Sequence, residues 1–159
     1  ESPDIIMLDE PTNALDERGV KLIRDIILRE KERGALVLIA SHNKEDIEIL
    51  AKKTVNLRIF RDENDKMNKS ILDIDGEALV ISQFTLCADV KKGNRPSFIN
   101  AMQPDLASQY YDIFCEKLKE LGVKRVEKGI FGADMKVSLV NNGPVTILFD
   151  TEIWRKNGN

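Results

Sequence analysis

Two uninterrupted apolar runs constrain the fold of this chain more than any other feature. The first covers residues 5–8 and the second covers residues 35–40. Continuous apolar runs of this length are typical of strands that are buried on both faces of a parallel sheet. Between them, over residues 16–33, apolar side chains recur at spacings of three and four, as on one face of a helix. The pattern therefore predicts a β-α-β unit over residues 4–40, with a right-handed crossover.

The rest of the chain alternates between helical and strand patterns. Breaker-rich segments separate them, notably "RDENDKMN" and "ADVKKGNRPSF". We expect helices over residues 43–53 and 105–121, and strands over residues 55–60, 78–87, 136–140 and 145–149.

Composition excludes several classes of protein. The chain has 159 residues, 42% of them apolar and 32% charged, which fits a globular domain with a core. Cys87 and Cys115 form no CxxC pair and there is one His, so we expect neither a zinc site nor any other metal or cofactor. With no signal peptide and no apolar run long enough to span a bilayer, we expect a cytoplasmic protein without membrane contact. Because the chain starts at Glu1, we expect that end to be cut or processed.

The first 50 residues carry the motif "IIMLDEPTNALD", followed by "LVLIASHN". These motifs resemble the Walker B strand, D-loop and switch histidine of ABC-type ATPases. The resemblance implies that Asp9 holds Mg²⁺, Glu10 is the catalytic base and His42 senses the γ-phosphate. The sequence contains no G-x-x-x-x-G-K-[ST] loop to cradle phosphates. The alternative is a structural β-α-β unit in which these three residues are relict.

From residue 46 to residue 151 the motifs are different. "SQFTL" begins at residue 82, "RPSF" at residue 95 and "NNGPVT" at residue 141. Together they resemble the D-aminoacyl-tRNA deacylases, a family first described as D-tyrosyl-tRNA deacylases. The resemblance implies an enzyme that hydrolyses the ester bond between a D-amino acid and tRNA.

The segment Ser82–Thr85 places hydroxyl and amide groups at the end of an apolar strand. By resemblance, Ser82, Gln83, Phe84 and Thr85 line the catalytic site, and backbone N–H groups hold the substrate carbonyl. Thr85 has no neighbouring His in the sequence, and a threonine hydroxyl without a base is a poor nucleophile. We therefore expect Thr85 to position the substrate, with attack by water or with help from the 2′-hydroxyl of the terminal adenosine. The alternative is a buried strand whose polar groups are simply satisfied.

The resemblance assigns further residues to substrate binding. Gly143 and Pro144 would form a cis peptide whose two carbonyl oxygens enter the partner subunit's pocket and exclude L-amino acids. Asn141 belongs to the same motif. The segment "FGADM" would contact the terminal adenosine through Phe131, Ala133 and Met135, although a Met at such a position is more often part of a core. Three basic residues could meet tRNA phosphates or could form a solvated loop: Lys91, Lys92 and Arg95.

Members of the deacylase family open with their own strands, including a "QRV"-type and a "GLLVLLGV"-type strand, and neither occurs here. We therefore interpret the chain as a chimera. Residues 1–45 would be an ATPase-like β-α-β fragment, residues 46–151 a deacylase-like core and residues 152–159 a polar tail, packed as one domain. The expected fold is α/β, with a mixed sheet or a partly open barrel-like core in which the N-terminal unit replaces the family's first strands.

Three functional hypotheses follow. The first is a homodimeric D-aminoacyl-tRNA deacylase that acts on the tRNA acceptor end. The second is a folded but inactive chimera. The third is an ATPase fragment that binds nucleotide only beside partner subunits.

Overall fold

The computed structural model describes residues 5–9, 34–40 and 44–151. The predicted helix over residues 16–33, Glu10, His42 and the polar tail lie outside the described residues. The described elements, in chain order, are β1 (Ile5–Asp9), β2 (Ala35–Ala40), α1 (Lys44–Val55), β3 (Phe60–Arg61), β4 (Met67–Lys69), β5 (Glu77–Ser82), a 3₁₀ turn (Phe84–Cys87), α2 (Pro104–Glu120), β6 (Arg125–Lys128) and β7 (Thr146–Asp150).

Five of the strands form one sheet in the order β6-β5-β1-β2-β7. Each of the four described pairings is parallel. The apolar run at residues 35–40 is thus a strand with a neighbour on each side, β1 and β7, as continuous apolar strands require. The α/β class agrees with the sequence. The mixed-sheet or barrel-like expectation does not describe this sheet, because antiparallel pairing in the described strands is confined to the separate β3-β4 hairpin.

One face of the sheet is covered by α1 and α2, which also pack against each other. The helices contribute apolar side chains at helical spacing, and the sheet contributes alternate residues of β2, β5 and β7. The core residues of this layer include Val37, Leu50, Ala51, Val80, Tyr111, Leu118 and Phe149, all buried.

The opposite face of the sheet is covered less completely in the described part of the chain. Leu79 and Ile81 are buried there, with Met135 packed against them. On β7 the side chain of Leu148 remains 56% exposed. The sheet therefore has one closed face and one face with an open apolar side chain.

Three strand predictions were wrong. Most of the segment 55–60 is not a strand: Val55 is the last residue of α1, with its side chain buried in the core, and β3 begins only at Phe60. The strand predicted over 78–87 ends at Ser82, where the chain turns into the 3₁₀ helix. Residues 136–140 form no strand, and three of their apolar side chains are exposed instead: Val137, Leu139 and Val140.

The strand β6 was not predicted from the sequence. Its residues, "RVEK", are mostly charged, and it pairs with β5 at the edge of the sheet. Lys128 Nζ donates to Asp112 Oδ1 of α2 at 2.6 Å, and this contact raises the pKa of the Lys128 ammonium group. An edge strand can be short and charged because one side faces solvent. The apolar pattern of β6 is therefore too weak to predict a strand from the sequence.

Tyr111 joins α2 to the sheet through its hydroxyl group. The buried hydroxyl donates to the carbonyl oxygen of Val80 at 2.7 Å, and the carbonyl oxygen of Gly129 lies 3.3 Å away. The Val80 oxygen also accepts the backbone N–H of Gly129 at 2.9 Å. The hydroxyl therefore fixes α2 at the point where β6 leaves the sheet.

We expect Tyr111→Phe to lower the free energy of unfolding by about 1–2 kcal/mol, because a buried carbonyl loses one hydrogen bond while the ring is retained. Urea unfolding measures the change. Tyr110→Phe is the matched control, since Tyr110 packs beside the same core and is only partly buried. Equal stabilities of the two variants would contradict the role of the Tyr111 hydroxyl.

Burial raises the pKa of the Cys115 thiol to about 12. The thiol is therefore protonated at pH 8–9, whereas Cys87 is half-exposed. We expect iodoacetamide at pH 8.5 to alkylate Cys87 in the native protein and Cys115 only after denaturation, because the thiolate is the nucleophile. Peptide mass spectrometry reads the sites, and rapid native alkylation of Cys115 would show that the thiol is accessible.

Candidate functional site

The segment Ser82–Thr85 lies where β5 ends, at the carboxyl edge of the parallel sheet. Gln83 precedes the 3₁₀ turn, and its carbonyl oxygen accepts the N–H of Leu86. The N–H of Ala88 donates to the carbonyl oxygen of Thr85. The polar residues therefore sit in a turn that leaves the sheet, which presents backbone and side-chain groups more openly than a continued strand would.

Ser82 is the buried member of this segment. Its side chain is 4% exposed, and its Oγ has no hydrogen-bond partner among the described residues. In the sheet register Ser82 lies opposite Asp9, the last residue of β1. A buried hydroxyl without a partner costs free energy, so this position holds a donor that a substrate oxygen could satisfy.

Thr85 is exposed, and its Oγ1 accepts a hydrogen bond from Gln83 Nε2. An amide N–H that donates to an oxygen does not remove its proton, so Gln83 cannot act as the base for Thr85. The contact instead fixes the rotamer of Thr85 while its own hydroxyl proton stays available to donate. The geometry is that of a hydrogen-bond donor aimed by its neighbour.

Two contacts hold the basic loop beside this turn. Phe84 packs edge-on against Phe98, with ring centroids 4.7 Å apart. Asp89 and Ser97 exchange backbone hydrogen bonds at the base of the loop, in an isolated antiparallel bridge. The exposed cationic side chains project from the loop that this bridge closes: Lys91, Lys92 and Arg95.

The loop after β6 begins at the same edge of the sheet, because β6 is parallel to β5. Phe131 packs with the helix-side core, and its ring centroid lies 6.0 Å from that of Tyr111. Met135 packs on the other face, over Gly129, where an added Cβ would meet Met135 Sδ at 2.7 Å. The three residues of this loop assigned to adenosine binding are therefore not brought together: Phe131 and Met135 lie in different clusters, and Ala133 sits in a turn between them.

The segment 141–146 forms a loop that leads into β7, whose first residue is Thr146. The Gly143–Pro144 peptide bond is cis, as the resemblance implies, and Gly143 has a φ of 136°. Residues 142–144 are exposed, whereas Asn141 and Val145 are half-buried. The tip of the loop is thus presented to the outside and its base is held in the structure.

The sheet separates this loop from Ser82–Thr85. Thr146 of β7 is in register with Leu36 of β2. Leu36 is in turn in register, through β1, with Leu79 of β5. Ser82 therefore lies three residues nearer the carboxyl edge of the sheet than Thr146 does. That offset is roughly 10 Å along the strands, and the two strands between β5 and β7 add roughly 14 Å across them. Gly143 lies beyond Thr146 at the amino edge. Within one chain, the two motifs cannot form one site.

A pocket of about 280 Å³ lies beside the 141–146 loop rather than beside Thr85. The β3-β4 hairpin supplies its charged wall. There Arg61 pairs with Asp65, and hydrogen bonds from Asn68 and from the N–H of Lys66 lower the pKa of Asp62. These charges are already partnered within the hairpin.

Neither 5–9, 34–40 nor 44–151 contains a group of three or more His, Cys, Asp or Glu side chains placed to hold a metal ion. No helix in these ranges is long and apolar enough to cross a membrane.

Sequence reasoning missed three residues that support this region. Phe98 braces the 3₁₀ turn, Tyr111 anchors the start of the loop after β6, and Gly129 makes room for Met135. The motif "RPSF" was a signal for Phe98. Gly129 precedes "FGADM" by only two residues, yet its role depends on a close approach that spacing alone does not reveal.

Known proteins match most of this chain. The family model described as D-Tyr-tRNA(Tyr) deacylase matches residues 20–150. A D-aminoacyl-tRNA deacylase of Flavobacterium psychrophilum is 53% identical over 130 residues, which cover 79% of this chain and 86% of that protein. A D-aminoacyl-tRNA deacylase of Parabacteroides distasonis is 54% identical over 124 residues, which cover 76% and 82%. A solved structure titled c-Myc DNA Unwinding Element Binding Protein has a TM-score of 0.62 and 36% identity, covering 69% of this chain and 76% of that one.

The family match begins at residue 20, inside the segment that resembles ABC-type ATPases, and it continues without regard to the boundary expected near residue 46. None of these comparisons supports the ATPase part of the chimera interpretation. They do agree with the motifs at Ser82–Thr85 and at 141–146: the chain belongs to the D-Tyr-tRNA(Tyr) deacylase family.

Proposed function

We propose that this chain hydrolyses the ester bond between a D-amino acid and tRNA. The observation that carries the proposal is the family match over residues 20–150, together with 53% identity to a protein named D-aminoacyl-tRNA deacylase. The chain spans 86% of that relative. The substrate is therefore the aminoacylated acceptor end of a tRNA, and the enzyme is an ester hydrolase.

The chemistry we propose relies on positioned hydrogen-bond donors. Backbone N–H groups of the Ser82–Thr85 turn would stabilise the oxyanion that forms when the ester carbonyl is attacked. The buried Ser82 hydroxyl has no partner in the part of the chain that the structure describes, which supports a polar contact with substrate at this edge. Water would be the nucleophile, assisted by the 2′-hydroxyl of the terminal adenosine. Thr85 would orient the ester rather than attack it, because Gln83 donates to its oxygen.

Handedness would be tested by the main-chain oxygens of Gly143 and Pro144. A filter made of backbone responds to the configuration of the α-carbon and not to the identity of the side chain. Since Ser82–Thr85 and the 141–146 loop lie at opposite edges of one sheet, we propose that the loop enters the site of a second copy. Each of the two sites in a homodimer would then contain residues of both chains.

Exposed apolar side chains support such an association. Leu148 on β7 and three residues of the preceding segment have exposures of 36–63%: Val137, Leu139 and Val140. They lie on the part of the chain that leads into and out of the 141–146 loop. Burying them against a second copy would remove apolar surface from water at the place where the loop must dock.

For tRNA, the proposed contacts are electrostatic and apolar. The exposed side chains of Lys91, Lys92 and Arg95 would neutralise phosphates, which predicts weaker binding at higher salt. Phe131, Ala133 and Met135 would have to rearrange to share one adenosine, because Phe131 and Met135 pack on opposite faces of the sheet. A cytoplasmic location fits this substrate and is part of the proposal.

The alternative hypothesis is that the chain is a chimera, which is either inactive or binds nucleotide as an ATPase fragment. β1 and β2 are parallel and Asp9 ends β1, as expected for an ATPase-like β-α-β unit that replaces the family's first strands. Domains over residues 1–45, 46–151 and 152–159, with Asp9, Glu10 and His42 as relict ATPase residues, belong to this hypothesis. Binding of Mg²⁺-ATP by the isolated chain would favour a nucleotide-binding fragment. A folded chain that neither binds ATP nor hydrolyses the ester would favour the inactive chimera.

The proposed function predicts that the wild-type chain hydrolyses D-Tyr-tRNA and spares L-Tyr-tRNA. In Thr85→Val, kcat should fall by less than about 100-fold, because removing a true nucleophile costs on the order of 10⁴-fold or more. Release of labelled tyrosine from both tRNAs measures the rates. A wild type without D-selective hydrolysis rejects the proposed function, and a loss of 10⁴-fold in Thr85→Val rejects the positioning role.

Substitution of Gly143 should damage selectivity. At a φ of 136°, an added Cβ would lie 2.9 Å from Val145 Cγ2 and 3.2 Å from the Val145 nitrogen, so the loop must shift. We expect Gly143→Ala to lower the ratio of D to L hydrolysis by at least about tenfold, since displacements near 1 Å at a reacting site are costly.

The matched control for Gly143→Ala is Gly122→Ala. Gly122 also has a positive φ, 99°, but a Cβ there would meet only Leu72 Cδ2 at 3.8 Å, far from the loop. It should reduce stability and leave the D to L ratio intact. Equal ratios in the two variants would show that the loop does not set selectivity.

A further inference from the structure

The carboxamide of Asn141 makes two hydrogen bonds within its own loop. Its Oδ1 accepts the backbone N–H of Val145 at 2.8 Å, and its Nδ2 donates to Thr146 Oγ1 at 3.0 Å. The side chain therefore spans the exposed residues 142–144 and connects the two ends of the turn. A side chain engaged in this way has one N–H and one lone pair left, which is little for binding a substrate.

A second tether holds the same loop from the sheet. The backbone N–H of Asn142 donates to the carbonyl oxygen of Gly34 at 3.0 Å, immediately before β2. Val145 packs against the helix-side core. The base of the loop is thus fixed at three points, by the Asn141 carboxamide, by Gly34 and by the Val145 side chain.

We propose that Asn141 is a positioning residue, which fixes the Gly143–Pro144 peptide oxygens and thereby sets the selectivity for D-aminoacyl esters. This inference rests on the proposed function. The resemblance placed Asn141 among the substrate-binding residues, whereas its contacts assign it a role within the loop. Because Oδ1 and Nδ2 bond to residues on the far side of the tip, losing them frees residues 142–144 to move relative to β7.

The chemistry of the Val145 contact distinguishes two substitutions. Asn141→Ala removes both hydrogen bonds. Asn141→Asp keeps an oxygen for the Val145 N–H, and the Thr146 hydroxyl can rotate to donate to the new carboxylate. If Asn141 acts by holding the loop, Asp should restore its function. If Asn141 acts by donating an N–H to substrate, Asp should not restore it.

The test uses the full chain and both tyrosyl-tRNAs. We expect Asn141→Ala to lower the ratio of D to L hydrolysis by about five- to tenfold, the effect of one or two lost hydrogen bonds. The change should appear in kcat, with KM for tRNA within about twofold of wild type. Asn141→Asp should restore most of the ratio. Asn56→Ala is the control, since the Asn56 amide donates to the Lys52 carbonyl oxygen at the exposed end of α1, away from the 141–146 loop.

Amide hydrogen exchange at Val145 measures the hydrogen bond from the Val145 N–H to Asn141 Oδ1 in the absence of substrate. We expect protection of this amide to be lost in Asn141→Ala and retained in Asn141→Asp. An active wild type with an unchanged ratio in Asn141→Ala overturns the role of Asn141 alone. A higher KM for both tRNAs in Asn141→Ala, with the Val145 amide still protected from exchange, also overturns this role, because it indicates a direct substrate contact. A wild type that hydrolyses neither ester overturns the proposed function itself.

Discussion

The parallel direction of the sheet strands decides where chemistry can occur in this protein. In a parallel sheet all carboxyl ends lie at one edge, and here that edge carries the turn after β5 and the loop after β6. The loop before β7 must then lie at the other edge. The two motifs that the proposed function combines are therefore held apart by the hydrogen bonds of the sheet, which no side-chain rotation can change. Under the proposed function, association of two chains would bring the two motifs into one site.

The core and the candidate site are connected through a small number of contacts. The Tyr111 hydroxyl lies between the carbonyl oxygens of Val80 and Gly129, so α2 supports both the end of β5 and the start of the loop after β6. Phe84 and Phe98 provide a comparable link between the 3₁₀ turn and the basic loop. Tyr111 therefore links the helix layer to β5 and to the loop after β6, and the Phe84–Phe98 contact links the turn after β5 to the basic loop.

Much of the fold was predictable where apolar patterning was strong. The run at residues 35–40 became β2 with the predicted bounds, and the helix expected over 105–121 became α2. Weak or ambiguous patterns failed. The charged strand β6 carries little apolar signal, and residues 136–140 alternate like a strand yet have no strand partner in the described part of the chain. Pairing depends on neighbours that are distant in sequence, which no local pattern contains.

For the candidate site, the sequence motifs name residues but do not give their arrangement in space. The motifs gave Ser82–Thr85 and Gly143–Pro144, but not their separation across four strands of the sheet. That separation follows from register, and register appears only when the strands are paired. This separation also gives the proposed dimer a function, which is to bring the two motifs into one site. A filter carried by one chain and a donor turn carried by the other cannot work in a lone protomer, so under the proposed function hydrolysis and handedness depend on the same interface. The exposed tip at residues 142–144 and the exposed Leu148 beside it are the surfaces that such an interface would cover.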